Sequence, residues 1–210
     1  MSEPTALAES AAPNSLIYRV PNLLDRILWE EVFPKSQPVE VELGSGDGSF
    51  LARWAEANPC VNYVGVERLI GRLKKLDRKG RRLELKNLRL IRFEASYLLR
   101  FLLPKSSVSA LHIYFPDPWP KRRHQDKRLV NPSFPQLAEA VLVPGGIVWL
   151  RTDSVDYFNQ MVEVFAAETA RFEQVETPES MAAVTTDFER HFNSKGIPTQ
   201  RAGYRSLRTI

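Results

Sequence analysis

From residue 38 onward, short apolar runs alternate with longer stretches whose apolar positions recur every three or four residues. The runs 38–43, 61–66, 88–93, 108–115 and 147–152 are β-branched and of strand length, and 172–175 and 202–208 add two short strands. Between them, 48–58, 69–86, 96–102, 133–142 and 155–170 have helical spacing. In 69–86 the residues Leu69, Leu73, Leu76 and Leu83 form one stripe with basic residues elsewhere. Ahead of them, NLLDRILWEEVF places Leu24, Ile27, Leu28 and Val32 at helical spacing, with Pro34 as a stop, so a helix is expected there too. Strand-helix units of this size predict an α/β fold, a mostly parallel seven-stranded sheet with helices on both faces. No repeat or low-complexity linker divides 16–210, which reads as a single domain.

Composition narrows the class. A chain of 210 residues with 43% hydrophobic and 26% charged residues is globular, and no apolar run approaches the roughly 20 residues needed to span a bilayer. Residues 1–15, MSEPTALAESAAPNS, lack the basic start and apolar stretch of a signal peptide; they read as a disordered tail, and the protein as cytoplasmic. The single cysteine, Cys60, can form no intramolecular disulfide, and His112, His124 and His191 show no ligand spacing, so no metal site is expected.

Charge is unevenly placed. Residues 68–92 hold eleven Lys and Arg against two acids, a net of +9 in a chain whose total is +4. A second run, KRRHQDKR at 121–128, sets five positive residues against Asp126. Clustered excess of this kind is the footprint of a polyanion, with nucleic acid the first candidate. Arg72, Lys75, Lys79 and Arg82 recur at spacings that share one helix face and can track phosphates, and Arg122 and Arg123 can do the same from the second run.

Three constellations sit after strands, where open α/β sheets bind ligands. In VELGSGDG, residues 41–48, the glycines Gly44, Gly46 and Gly48 permit a sharp turn and close ligand approach, with Glu42 two positions ahead. The third glycine comes too early for the dinucleotide fingerprint. Glu67 ends the next strand, where an acid commonly accepts ribose hydroxyls, so the ligand expected is an adenosine derivative. In YFPDPWPKRRH, residues 114–124, Pro116 and Pro118 stiffen the loop that carries Asp117, Trp119 offers a stacking face, and Lys121 offers a charge for phosphate. The third pairs Asp153, at a strand end, with Thr186-Asp187-Phe188-Glu189, which has the spacing of a helix capping box.

The glycine loop with its two acids resembles the class I S-adenosylmethionine-dependent methyltransferases, a Rossmann-like fold. ELGSGDG, GVE, FPDPWPKRRH and TDFE together closely resemble the bacterial tRNA (guanine-N7-)-methyltransferases over nearly the whole chain. That resemblance implies methylation of guanine 46 in the variable loop of tRNA, with S-adenosylmethionine as cofactor. It places Glu42, Glu67, a residue near Glu94 and Asp117 at the cofactor, Asp117 also being the catalytic candidate. Lys121, Asp153 and the segment 186–189, including Thr186, Phe188 and Glu189, fall at the substrate. Relatives often hold the adenine amino group with an acid where this chain has Ala95, leaving Glu94, its backbone or Ser96 for that work. Two other readings are an amino-methyltransferase acting on adenine or cytosine, since Asp117-Pro118-Trp119-Pro120 loosely resembles a D-P-P-Y motif, and a non-catalytic RNA-binding protein.

Overall fold

The computed structural model describes residues 14–209, with the side chain of Arg122 outside that description. Of the predicted tail only Asn14 and Ser15 are described, and Ser15 belongs to the fold, since its hydroxyl and the Leu16 amide both donate to Asp77 Oδ1. Each apolar run forms a strand: β2 (Val39–Leu43), β3 (Asn62–Val66), β4 (Leu88–Ile91), β5 (Val108–Tyr114), β6 (Leu142–Thr152), β7 (Phe172–Val175) and β8 (Gln200–Ser206). An eighth, β1 (Ile17–Tyr18), lengthens the expected seven-stranded sheet by pairing parallel with β4. The sheet order is β1-β4-β3-β2-β5-β6-β8-β7, parallel except where β8 runs antiparallel to β6 and β7. The chain moves outward from β2 through β3 to β4 and then returns to lay β5 on the other side of β2. That reversal opens a crevice at the carboxyl ends of β2 and β5.

Apolar clusters cover both faces of the sheet. On one, α2 (Leu51–Ala57) and α3 (Ile70–Arg82) bury Leu51, Ala55, Leu73 and Leu76 with Met181 of α7 (Glu179–Ala183). On the other, α5 (Phe134–Val141) and α6 (Val155–Ala166) bury Phe134, Ala138, Met161 and Phe165, joined by Leu98, Leu99 and Leu102 of a π-helical segment after α4 (Ala95–Tyr97). The expected leucine stripe on α3 is narrower than its spacing suggested. Leu73 and Leu76 are fully buried, Leu83 is half-buried, and Leu69, just ahead of the helix, is exposed.

The helix expected over 22–33 is confined to α1 (Trp29–Val32). Asn22 Oδ1 accepts the Leu24 amide, a local turn that competes with helix. Arg26 donates to the carbonyls of Arg100 and Leu103, and the Ile27 amide donates to Leu102 O at 2.8 Å. The segment is thus held along the π-helical turn by tertiary bonds that outweigh its helical spacing.

Gly203 on β8 is fixed by its neighbours. A Cβ there would lie 2.3 Å from the Trp149 ring and 3.0 Å from Val175, on the strands flanking it. The indole is rigid, so Gly203→Ala should overpack the site at about 1–3 kcal/mol. Thermal unfolding should show a midpoint lowered by roughly 2–4 °C per kcal/mol; an unchanged midpoint would show that the ring can move aside.

Candidate active site

The loop after β2 turns through Gly44, Gly46 and Gly48 at φ of +87°, +55° and +75°. At Gly48 a Cβ would also lie 2.1 Å from Leu76 of α3, so this position requires glycine for space as well as for conformation. The loop borders a cleft of about 280 Å³ whose walls include Gly44, Glu67, Arg72, Phe93, Ala95 and Asp117. The crevice predicted from the strand reversal is therefore the place where the glycine loop, the acid closing β3 and the FPDPWP loop meet.

Glu42 lies beneath this loop, 3% exposed, and its Oε2 has no hydrogen-bond partner. Burial pushes its carboxyl up to about 8, helped by Asp47 and Glu67 and opposed by Arg151. Near neutral pH the group is mostly protonated. Glu67 holds the Leu69 amide on Oε1 at 2.7 Å. Glu94 caps α4, accepting Ser96 N and Ser96 Oγ on Oε1 and Tyr97 N on Oε2. Both of its oxygens thus accept hydrogen bonds from the turn that they cap.

The loop after β5 is wound tightly. Phe115 and Trp119, bulky residues on either side of Pro116-Asp117-Pro118, adopt φ of +50° and +42°. Such residues rarely enter the left-handed region, and the conformation persists only where the surroundings impose it. The brace is Arg128, 2% exposed, whose Nε donates to Pro118 O at 2.7 Å. Its other nitrogens bond Gln160 and Asp156 of α6, and its guanidinium lies 4.8 Å from the Tyr157 ring centre. Sequence reasoning placed this arginine in a phosphate-binding run, whereas its side chain fastens the loop to α6. Asp117 stands exposed on the cleft wall, while Trp119 lines the cleft with Lys127 over its ring at 5.1 Å.

The third constellation folds over the glycine loop. Thr186 and Glu189 form the capping box of α8 (Asp187–Asn193), and the Asp187 amide donates to Ser49 Oγ. Glu189 is fully buried, with its carboxylate between Arg151 and Arg201. This corrects the expected substrate contact, because both of its oxygens hold protein groups. Phe188 is 51% exposed and stacks on Phe115, which lines the cleft. Asp153 is half-buried just beyond β6, outside the residues lining the cleft. Lys121 and Arg123 are exposed beside the loop.

On α3, Arg72, Lys75 and Arg82 are exposed, but Lys79 pairs with Asp47 of the glycine loop at 3.3 Å and Arg72 lines the cleft. Of the four cations expected to serve RNA, one therefore lines the cleft and another is tied to the glycine loop. Arg151 was missed altogether. It is 1% exposed, lies over the rings of Phe50 and Tyr114, and bonds the carbonyls of Met181 and Val184. The only signal in its sequence is an arginine within the apolar strand GIVWLRTD.

An orphaned carboxyl oxygen beneath a glycine cradle, with an acid at the next strand end, suits a ligand that approaches the backbone closely and carries a ribose. On this fold such a site defines a class I S-adenosylmethionine-dependent methyltransferase. Solved structures share the architecture at low identity: the 16S rRNA methyltransferase KamB, with TM-score 0.59 and 20% identity over 85% of this chain and 91% of that one, and a methyltransferase from Streptococcus mutans bound to S-adenosylhomocysteine, with TM-score 0.52 and 12% identity over 82% and 90%. The Methyltransf_4 family of methyltransferases matches residues 36–202. The chain belongs to this family, among the tRNA (guanine-N7-)-methyltransferases: it is 33% identical to the enzyme of that name from Listeria innocua over 82% of both chains. It is also 36% identical to the one from Thermotoga maritima, over 81% of this chain and 55% of the relative.

Among the described residues no helix is long and apolar enough to cross a membrane, and no group of three metal-capable side chains comes together.

The buried Glu42 carboxyl has a signature. In the unfolded chain it ionises near 4.5, whereas in the fold it does so near 8, so the native state binds the extra proton between these values. Its contribution to stability is therefore progressively lost as pH rises from about 4.5 to about 8. Urea unfolding across this range should show Glu42→Gln gaining stability relative to the parent as pH rises. A difference that does not vary with pH would place an ionised Glu42 in the fold.

Proposed function

We propose that the chain transfers the methyl group of S-adenosylmethionine to N7 of guanine 46 in the variable loop of tRNA. The observation that carries this reading is the braced loop bearing Asp117 on the wall of a cleft it shares with Gly44 and Glu67, in a chain of this family. Glu67 takes the ribose hydroxyls, the 44–48 loop holds the methionine part above Glu42, and the backbone near Ala95 faces the adenine. When bound, S-adenosylmethionine supplies an electrophilic methyl on a sulfonium.

The acceptor N7 has an in-plane lone pair and no proton, so the transfer is a direct displacement that needs no general base. The chain's task is to orient the ring and to stabilise charge that moves onto the purine. Asp117 faces the positive charge developing on guanine, and with Asp153 it accepts hydrogen bonds from the N1 and exocyclic amino groups, which distinguishes guanine from adenine. Phe188 flanks the base, Thr186 holds its helix, and Glu189 positions both from beneath. Lys121 and Arg123 meet phosphates beside the loop, Arg122 belongs to the same run, and Lys75 and Arg82 of α3 extend the track. A tRNA substrate fits an enzyme that works in the cytoplasm.

Incubation with unmodified tRNA and labelled cofactor, followed by nucleoside mass spectrometry and mapping, should give 7-methylguanosine at position 46. Methyladenosine or methylcytidine as the main product would end the reading.

Asp117→Asn keeps the loop's shape and removes its charge. Turnover should fall on the order of 100-fold, the size of one lost electrostatic contact of about 2.7 kcal/mol. Activity within threefold of the parent would remove Asp117 as the charge stabiliser.

A further inference from the structure

Beside the cleft, the segment after β4 carries a row of aromatic rings. Phe93, Tyr97 and Phe101 recur every fourth residue, with ring centres 5.4 Å apart in the first pair and 4.8 Å in the second. Phe93 lines the cleft, whereas Tyr97 and Phe101 are 39% and 50% exposed. The same segment buries Leu98, Leu99, Leu102 and Leu103 completely, so its apolar residues are sorted and the rings are the ones left in water. The backbone that carries the last of them, Leu98–Leu102, is wound as a π-helix, a rare form that gathers at functional sites.

The surroundings are cationic. Arg92 and Arg100 are exposed, Arg26 is fixed to the carbonyls of Arg100 and Leu103, and Arg68 and Arg72 stand on the cleft rim. Of the nearby acids, Glu94 is held by its helix cap and Asp25 accepts Asn22 Nδ2. Exposed rings that continue from a binding cleft and are flanked by arginines have the chemistry of a platform for unpaired nucleobases. Every base offers a flat face to the rings, while guanidinium groups take the phosphates. A second copy of the chain matches the row poorly, because a two-fold interface would set the same arginines against one another.

We infer that Tyr97 and Phe101 form a stacking platform for unpaired bases of the tRNA, next to the cleft whose wall carries Asp117. This inference rests on the reading of the chain as a tRNA methyltransferase. The platform binds RNA and takes no part in the chemical step.

The test measures binding of an unmodified tRNA transcript at fixed salt to the parent, to Tyr97→Ala/Phe101→Ala, and to the ring-preserving Tyr97→Phe/Phe101→Tyr, each checked for folding by thermal unfolding. The alanine pair should weaken tRNA binding tenfold or more, as expected for two lost base stacks. Its S-adenosylmethionine affinity should equal the parent's, and the ring-preserving pair should bind tRNA as the parent does. Parental tRNA affinity in the folded alanine pair would overturn the platform. So would a parent that sediments as a dimer and becomes monomeric in the alanine pair with tRNA affinity per subunit unchanged, an outcome that assigns the rings to a second copy. If the parent makes 7-methylguanosine while the alanine pair binds tRNA normally, the platform alone fails; a parent that makes none removes the methyltransferase reading beneath it.

Discussion

A guanidinium buried at the carboxyl end of β6 ties together parts of the chain that are distant in sequence. Arg151 lies over Phe50 and Tyr114, reaches the carbonyls of Met181 and Val184, and pairs with the buried Glu189. The sheet end, the helix after the glycine loop, α7 and α8 thus share one charge. Removing one partner of such a pair commonly costs about 3–5 kcal/mol, since the other charge is left buried and alone. Its worth lies less in net stability than in fixing one arrangement. With Glu189 held, α8 begins where its Asp187 amide meets Ser49, and Phe188 is set against Phe115 on the cleft wall. Arg151 also partly offsets the rise that burial imposes on the Glu42 carboxyl, so the charge that latches α8 is felt beneath the glycine cradle as well.

A second buried arginine does for the FPDPWP loop what Arg151 does for α8. Two bulky residues in the left-handed region would relax if the loop were free, and Arg128 holds the carbonyl between them to α6. Methyl transfer to a proton-free nitrogen gains little from acid-base chemistry and much from geometry. An active site built from braced loops rather than proton relays matches that demand. The two latches pack with different core clusters, Arg128 on Tyr157 and Arg151 on Phe50.

The parts of the site that could be read in the sequence are those where the local backbone carries the information. Glycines at 44, 46 and 48 declare a turn that only they can make, and prolines around Asp117 declare a stiff loop. The strands after residue 38 follow from β-branched runs. What escaped was settled by contacts distant in sequence. The helix expected over 22–33 yielded to bonds with residues 100–103, and β1 exists because Leu16 and Ser15 find Asp77. Arg128 looked like one more cation in a basic run, and Arg151 like an oddity in a strand, because their partners lie about thirty residues away. At 186–189 the spacing correctly named a capping box, and the structure adds that its glutamate is enclosed by two arginines.

Buried charge on α8 holds Phe188 against the cleft wall. Glu189→Gln tests it most directly, because glutamine can still complete a capping box while the ion pairs with Arg151 and Arg201 are lost. Amide hydrogen exchange over 184–193 should accelerate, and turnover on tRNA should fall tenfold or more, with S-adenosylmethionine affinity near the parent's. Unchanged exchange across that segment together with parental turnover would contradict the account.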